Sequence, residues 1–125
     1  MDREELNKLS NKIIGLAIEV HKELGPGFVE KIYEEAFAYE LKKANLKFKR
    51  QFKIQVKYKK VDLGKQRVDF LVEGDIILEL KSVSEINNIH KAQLLSYLKS
   101  ANKSLGLVLN FAKQKLEIKR IVFNF

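Results

Sequence analysis

The residues best equipped for chemistry are two carboxylates and an ammonium, Asp69, Glu79 and Lys81. They lie in the stretch Val68-Asp69-Phe70-Leu71-Val72-Glu73-Gly74-Asp75-Ile76-Ile77-Leu78-Glu79-Leu80-Lys81. Two short apolar runs meet at Gly74 and read as a tight β-hairpin. Folded symmetrically about Gly74, the pairs Val72–Ile76, Phe70–Leu78 and Val68–Leu80 share one apolar face. The other face pairs Leu71 with Ile77, Asp69 with Glu79 and Arg67 with Lys81. A two-residue Gly74-Asp75 turn would slip the register by one and oppose Asp69 to Leu80, mixing polar with apolar on both faces. Patterning therefore favours the symmetric register.

In that register two like charges stand directly across a strand pair, an arrangement that destabilises a sheet. At about 5 Å and an effective dielectric of about 20 the repulsion is on the order of 3 kcal/mol. Two arrangements would offset it. One is diagonal ion pairing, Asp69 with Lys81 and Arg67 with Glu79, on a solvated face. The other is a divalent cation held by both carboxylates, with Lys81 pointing into the same site. The hairpin by itself leaves both open.

The elements that must carry these groups follow from the pattern on either side. Residues from Asp2 to about Leu24 read as an amphipathic helix, with Leu6, Leu9, Ile13, Leu16, Val20 and Leu24 at helical spacing and a capping box from Asp2 and Glu5. Gly25-Pro26-Gly27 ends it. A second helix, from about Phe28 to Ala44, has Ile32, Ala36, Phe37 and Leu41 on its apolar side. Glu30 in its first turn complements the helix dipole, worth roughly 0.3–1 kcal/mol. His21, near the end of the first helix, reads as a corner-packing or dipole-complementing residue.

From Lys47 to Lys59 apolar and basic residues alternate as in a half-buried strand. Phe48, Phe52, Ile54, Val56 and Tyr58 lie on one face, interrupted only by Arg50, and lysines dominate the other. Such a basic face either protects a sheet edge or contacts phosphates. After a Lys59-Lys60 turn the chain enters the hairpin, making a three-stranded antiparallel meander. Ser82 to Asn88 reads as a loop, and about Ile89 to Ala101 as a helix packing through Ile89, Ala92, Leu94, Leu95, Leu98 and Ala101. On that helix His90, Gln93 and Tyr97 form a separate stripe. Leu105 to Leu109 is a continuous apolar run, the mark of a strand covered on both faces. A last strand spans about Leu116 to Phe123. The order α-α-β-β-β-α-β-β defines an α/β (α+β) fold, a mixed β-sheet flanked by helices.

Bulk properties fit one domain over residues 1–125, with enough apolar content for a real core. The chain has no Cys, so it holds neither a disulfide framework nor a thiolate zinc site. No signal peptide, membrane span or lipidation motif is visible, which points to the cytoplasm. The formal charge of +8 favours a polyanionic partner.

An Asp on one strand followed by Glu-x-Lys on the next, here Asp69 and Glu79-Leu80-Lys81, resembles the signature of the PD-(D/E)xK nuclease superfamily. The α-β-β-β-α-β order is that of its restriction-endonuclease-like core. Gln93-x-x-x-Tyr97 is similar to the Q-x-x-x-Y motif of the RecB-like branch. Gly27-Phe28-Val29-Glu30-Lys31-Ile32-Tyr33 matches G-x-x-E-x-x-Y, which names the GxxExxY family of small bacterial and archaeal proteins. The likeness takes in His21 to Gly27 and Asn110-Phe111 as well. Val68 stands where the superfamily name has proline.

The resemblance implies a divalent-metal-dependent nuclease hydrolysing phosphodiester bonds, with DNA as substrate. Asp69 and Glu79 would be Mg2+ or Mn2+ ligands, with the Leu80 carbonyl as a further one. Glu30 would be a third acidic ligand or hold a metal-bound water. Lys81 would orient the attacking water and offset transition-state charge. Gln93 and Tyr97 would position the nucleic-acid backbone or buttress the site from the facing helix, and Tyr33 would be structural support. Two alternatives stand beside this one. The first is a non-catalytic nucleic-acid-binding module using the basic sheet face. The second is an interaction module, a homodimer joined through the apolar segment Ile121 to Phe125, which otherwise completes the core.

Overall fold

A computed structural model describes residues 1–125. Helix α1 (Arg3–Leu24) starts at the expected capping box: the Asp2 carboxylate accepts the Glu5 N–H at 2.8 Å, and Glu5 accepts the Asp2 N–H at 3.2 Å. Leu6, Leu9, Ile13, Ala17 and Val20 form its buried stripe. Gly25 and Gly27 take φ of 70° and 113°, which only glycine adopts without strain, and so turn the chain sharply into α2 (Glu30–Lys43). The Tyr33 hydroxyl braces this corner, donating to the Gly25 carbonyl at 2.5 Å and accepting the Phe28 N–H at 3.2 Å. That tether sets the rotation of α2. Its buried face is Tyr33, Glu34, Phe37, Ala38 and Leu41, whereas Ile32, expected inside, is 42% exposed.

Five strands follow: β1 (Phe48–Tyr58), β2 (Val61–Val72), β3 (Ile76–Lys81), β4 (Leu105–Asn110) and β5 (Glu117–Val122). Helix α3 (Asn88–Ala101) lies between β3 and β4. The sheet order is the chain order; β3 and β4 are parallel, and the other pairs antiparallel. Helices α1 and α2 cover one face, packing on Phe70, Val72, Leu78, Leu80, Leu107 and Leu109. Helix α3 covers the other, packing Leu94, Tyr97 and Leu98 on Leu71, Ile77 and Val108. Strand β4 is buried throughout, as a continuous apolar run requires. Gly106 allows the close approach of α3, since a Cβ there would meet the Leu94 side chain at 2.9 Å. No helix is long and apolar enough to cross a membrane.

The β2–β3 hairpin adopts the symmetric register, Val72↔Ile76, Leu71↔Ile77 and Phe70↔Leu78. There the ladder stops. The expected next pairs, Asp69 with Glu79 and Val68 with Leu80, are not made. Instead the Asp69 carboxylate accepts the Leu80 N–H at 2.7 Å, taking the place of a backbone acceptor. Across β1, Gln51 sits opposite Asp69 with a left-handed φ of 50°, and the ladder steps from Arg50↔Phe70 to Phe52↔Val68. This paired distortion turns both strands over. Phe48 and Phe70 pack toward α1 and α2, while Phe52, Ile54 and Val68 pack toward α3. Simple alternation had put Phe48 with Phe52, and Val68 with Phe70, on one face; the left-handed residue separates them.

Beyond that point β1 and β2 run out as a two-stranded ribbon. Residues 57–67 are all exposed, and Ile54 is the one fully buried residue of β1. Helix α3 also differs in detail from its pattern. Ile89 is 76% exposed, and Tyr97 joins the packing face. His90 completes a cap: its N–H donates to Asn87 Oδ1 at 3.0 Å, and its Nδ1 accepts the Asn87 N–H at 3.1 Å. His21 packs at the corner as expected, its Nε2 2.8 Å from the Lys113 carbonyl. At the C-terminus Ile121 and Phe123 pack on the α3-side cluster and Phe125 on the other.

Candidate active site

The end of the β2–β3 ladder is where the titratable groups gather. Alternation along β3 sends Leu78 and Leu80 into the α1/α2 layer, so Glu79 and Lys81 face the α3 side. Glu79 is only 7% exposed, flanked by β4 at Val108. Burial is the largest influence on its carboxyl, and the negative charge of Asp69 and close contact with that carboxylate add to it. Together they push the Glu79 pKa up to about 9, against the opposing pull of Lys81 and of the Asp69 backbone N–H. Tyr97, on α3, lies near enough to feel both acids; burial, then the charges of Glu79 and Asp69, raise its pKa. Strand β2, strand β3 and helix α3 thus each bring one side chain to this neighbourhood.

Neither diagonal ion pair forms. None of the salt bridges in the structure includes Asp69, Glu79, Arg67 or Lys81. Two carboxylates therefore adjoin with only the Lys81 charge nearby, a pair of hard oxygen donors whose mutual repulsion a divalent cation would offset. By donor type and charge the residues fit such an ion.

Glu30 stands at the start of α2 and is exposed, its carboxylate accepting the Ser82 N–H at 3.2 Å just past Lys81. It is beside the end of β3 but outside the Asp69–Glu79 contact; no group of three or more His, Cys, Asp or Glu side chains is close enough together to hold a metal. Gln93 is exposed on α3 and, with Tyr97, lines a cleft of about 310 Å3. Asn110, fully buried at the end of β4, accepts the Val83 N–H at 3.1 Å and donates to the Val83 carbonyl at 2.9 Å, tying down the loop that leaves Lys81.

Three residues not singled out from sequence support Asp69. Glu34, one turn beyond Glu30 and buried, accepts from Arg50 at 2.6 and 3.0 Å through Oε2 and from Gln51 Nε2 at 2.9 Å through Oε1. The same Gln51 nitrogen lies 3.4 Å from Asp69 Oδ1. A chain of contacts thus runs from α2 through β1 to Asp69. The signal for it was present in the one charged interruption of the apolar face of β1, at Arg50.

This sheet order, with helices on both faces and an acidic pair where the hairpin ladder ends, is the restriction-endonuclease-like fold. The chain belongs to the PD-(D/E)XK nuclease superfamily, whose family model matches residues 7–121. Among solved structures it is similar to the crystal structure of SSO0001, at 17% identity and a TM-score of 0.58. That similarity covers 76% of this chain and 50% of the other, so the chain spans half the length of that neighbour and shares its fold. No curated protein matches.

Proposed function

We propose that the chain is a divalent-metal-dependent nuclease hydrolysing phosphodiester bonds in DNA, within the GxxExxY family of the RecB-like branch. The observation that carries this reading is the buried Glu79 carboxylate held against Asp69 with no ion pair to either. Asp69, Glu79 and the Leu80 carbonyl would hold Mg2+ or Mn2+, and Glu30 would serve as a third acid or hold a water. Bound there, the ion would polarise a phosphoryl oxygen and supply hydroxide near neutral pH.

The chain's own groups do the rest. The Leu80 N–H and Gln51 orient Asp69. The Lys81 ammonium directs the attacking water and offsets charge on the phosphoryl oxygens as the bond breaks. Tyr97 and Gln93, on the facing helix, position the backbone of the strand to be cut. Residues 1–125 act as one domain in this reading, because both apolar clusters pack on the same sheet.

Calorimetry with Mn2+ tests the site without requiring the right substrate. Wild type binds with measurable heat, and Glu79→Gln, folded by circular dichroism, does not. Labelled DNA is cut with Mg2+ or Mn2+ by wild type and left intact by Lys81→Ala. Absence of metal heat in wild type, or equal heat in Glu79→Gln, refutes the proposal. The exposed basic ribbon favours a second reading, nucleic-acid binding without catalysis; salt-sensitive binding with every substrate left intact would select it.

A further inference from the structure

The ribbon and α3 enclose more than the catalytic groups use. Three depressions adjoin along their boundary, and all three touch Ser100. The first, about 310 Å3, begins at Gln93 and Tyr97 and is walled on the ribbon side by Val56 and Gln66. The second, about 450 Å3, has no apolar lining residue and lies between Lys57 of β1 and Lys99 of α3. The third, about 170 Å3, has Lys53 on one wall and Lys103 on the other. Together they form one groove leading away from Tyr97.

Its chemistry is one-sided. Two lysines from each wall line it, no carboxylate does, and none of the four enters a salt bridge. The neighbouring acid of the ribbon, Asp62, is engaged by the Gln55 amide and by the Gly64 N–H at 3.0 Å. Four ammonium groups facing across a narrow cleft repel one another unless an anion lies between them. Serine hydroxyls and glutamine amides are interspersed, and apart from Tyr97 at its mouth and Phe52 at its far end the groove carries no aromatic platform for a base. Ammonium groups with uncharged donors and few stacking surfaces suit phosphates and sugars rather than base edges.

The geometry points to this groove as the track for the phosphodiester backbone of one nucleic-acid strand, gripped without regard to sequence and led past Tyr97 to the acidic pair. The direction of travel rests on the nuclease reading; the binding does not. From Gln93 to Ala101 helix α3 advances about 12 Å at about 1.5 Å per residue, room for roughly three to four phosphates at the duplex rise of about 3.4 Å per nucleotide and for fewer in an extended strand.

The test is fluorescence anisotropy in EDTA, with the full chain and labelled 12-mers: oligothymidylate, oligouridylate and a DNA duplex. Lys53, Lys57, Lys99 and Lys103 are changed together to Ala, and in a second variant to Gln. The control changes Lys8, Lys12, Lys22 and Lys115, exposed lysines outside the groove, to Ala. Both groove variants weaken binding at least tenfold and flatten the log–log salt dependence by about 2–3, at about 0.7 per phosphate contact for single strands. The control weakens it less than threefold. The three probes show whether the backbone comes from single-stranded DNA, RNA or a duplex. Equal losses in groove and control variants, or no loss in either, overturn the proposal. If wild type cuts nothing but the groove variants lose binding, the nuclease reading fails and the groove stands. If the groove variants cleave DNA with unchanged KM, the groove falls and the nuclease reading stands.

Discussion

Replacing Glu79 by glutamine should make the metal-free protein more stable at neutral and alkaline pH, although it removes a proposed metal ligand. The folded-state pKa of Glu79 is raised to about 9 from the ordinary 4.5. The folded chain therefore keeps a proton that the unfolded chain gives up. The sign follows directly: stability attached to this group is complete below pH 4.5 and is lost as pH rises toward 9. At pH 7.5 the deficit extends over three pH units, each worth about 1.4 kcal/mol, so it reaches at most about 4 kcal/mol. Water reaching the partly open site reduces this to about 2–4 kcal/mol, or roughly 8–16 °C in Tm for a chain of this size. The glutamine of the Glu79→Gln variant incurs no such deficit, because its amide matches the neutral acid in size and does not ionise. Thermal melts of wild type and Glu79→Gln in EDTA at pH 5 and pH 8 read the difference: near-coincidence at pH 5, and Glu79→Gln clearly higher at pH 8. Mn2+ should then narrow that gap. Wild type gains about 2.7 kcal/mol when free metal is a hundredfold above Kd, and the variant gains none of it. Parallel pH curves for the two proteins would refute a protonated Glu79 beside Asp69, and an equal Mn2+ shift in both would refute its role as a ligand.

Other perturbations probe the scaffold around this pair. Asp69→Ala leaves the Leu80 N–H without its acceptor and should cost about 1–3 kcal/mol in urea unfolding, whereas Asp69→Asn keeps an acceptor and costs less. Arg50→Ala strips the paired charge from the buried Glu34 carboxylate and should destabilise by about 2–4 kcal/mol; Glu34→Gln in the same background recovers part of that, and a double-mutant cycle measures it. Gly106→Ala forces a methyl to within 2.9 Å of Leu94 and should lower stability by about 1–3 kcal/mol, with Leu94→Ala partly compensating in thermal melts.

Much of the fold was legible because it depends on period. The capping box of Asp2 and Glu5, the Gly25-Pro26-Gly27 corner, the symmetric hairpin from Phe70 to Leu78 and the doubly covered β4 all follow from spacing or turn chemistry, and each is present. The failures share one origin. Nothing in the residue type of Gln51 announces a left-handed φ, so strict alternation carried Val68 and Phe52 to the wrong layer. In α2 the two hydrogen bonds of the Tyr33 hydroxyl set the rotation, and periodicity among Ile32, Ala36 and Phe37 could not register them. The same applies to the candidate site. Asp69, Glu79 and Lys81 could be singled out by charge against an apolar background. The buttress of Glu34, Arg50 and Gln51 depends on how α2 lies over β1, which is a matter of packing.

The carboxylate of Asp69 stands in for a missing rung of the sheet, and this changes what its presence can be taken to mean. A side chain that closes a gap between two strands is needed for architecture whether or not anything is ever hydrolysed. A descendant that had lost catalysis would still be penalised for putting alanine there. Glu79 shares this duty only in part: its carboxylate meets the Asp69 N–H, yet its burial beside Asp69 burdens the empty protein, a burden that a bound cation would relieve. In comparing chains of this type, an acid at the Glu79 position is therefore the better witness of a working enzyme.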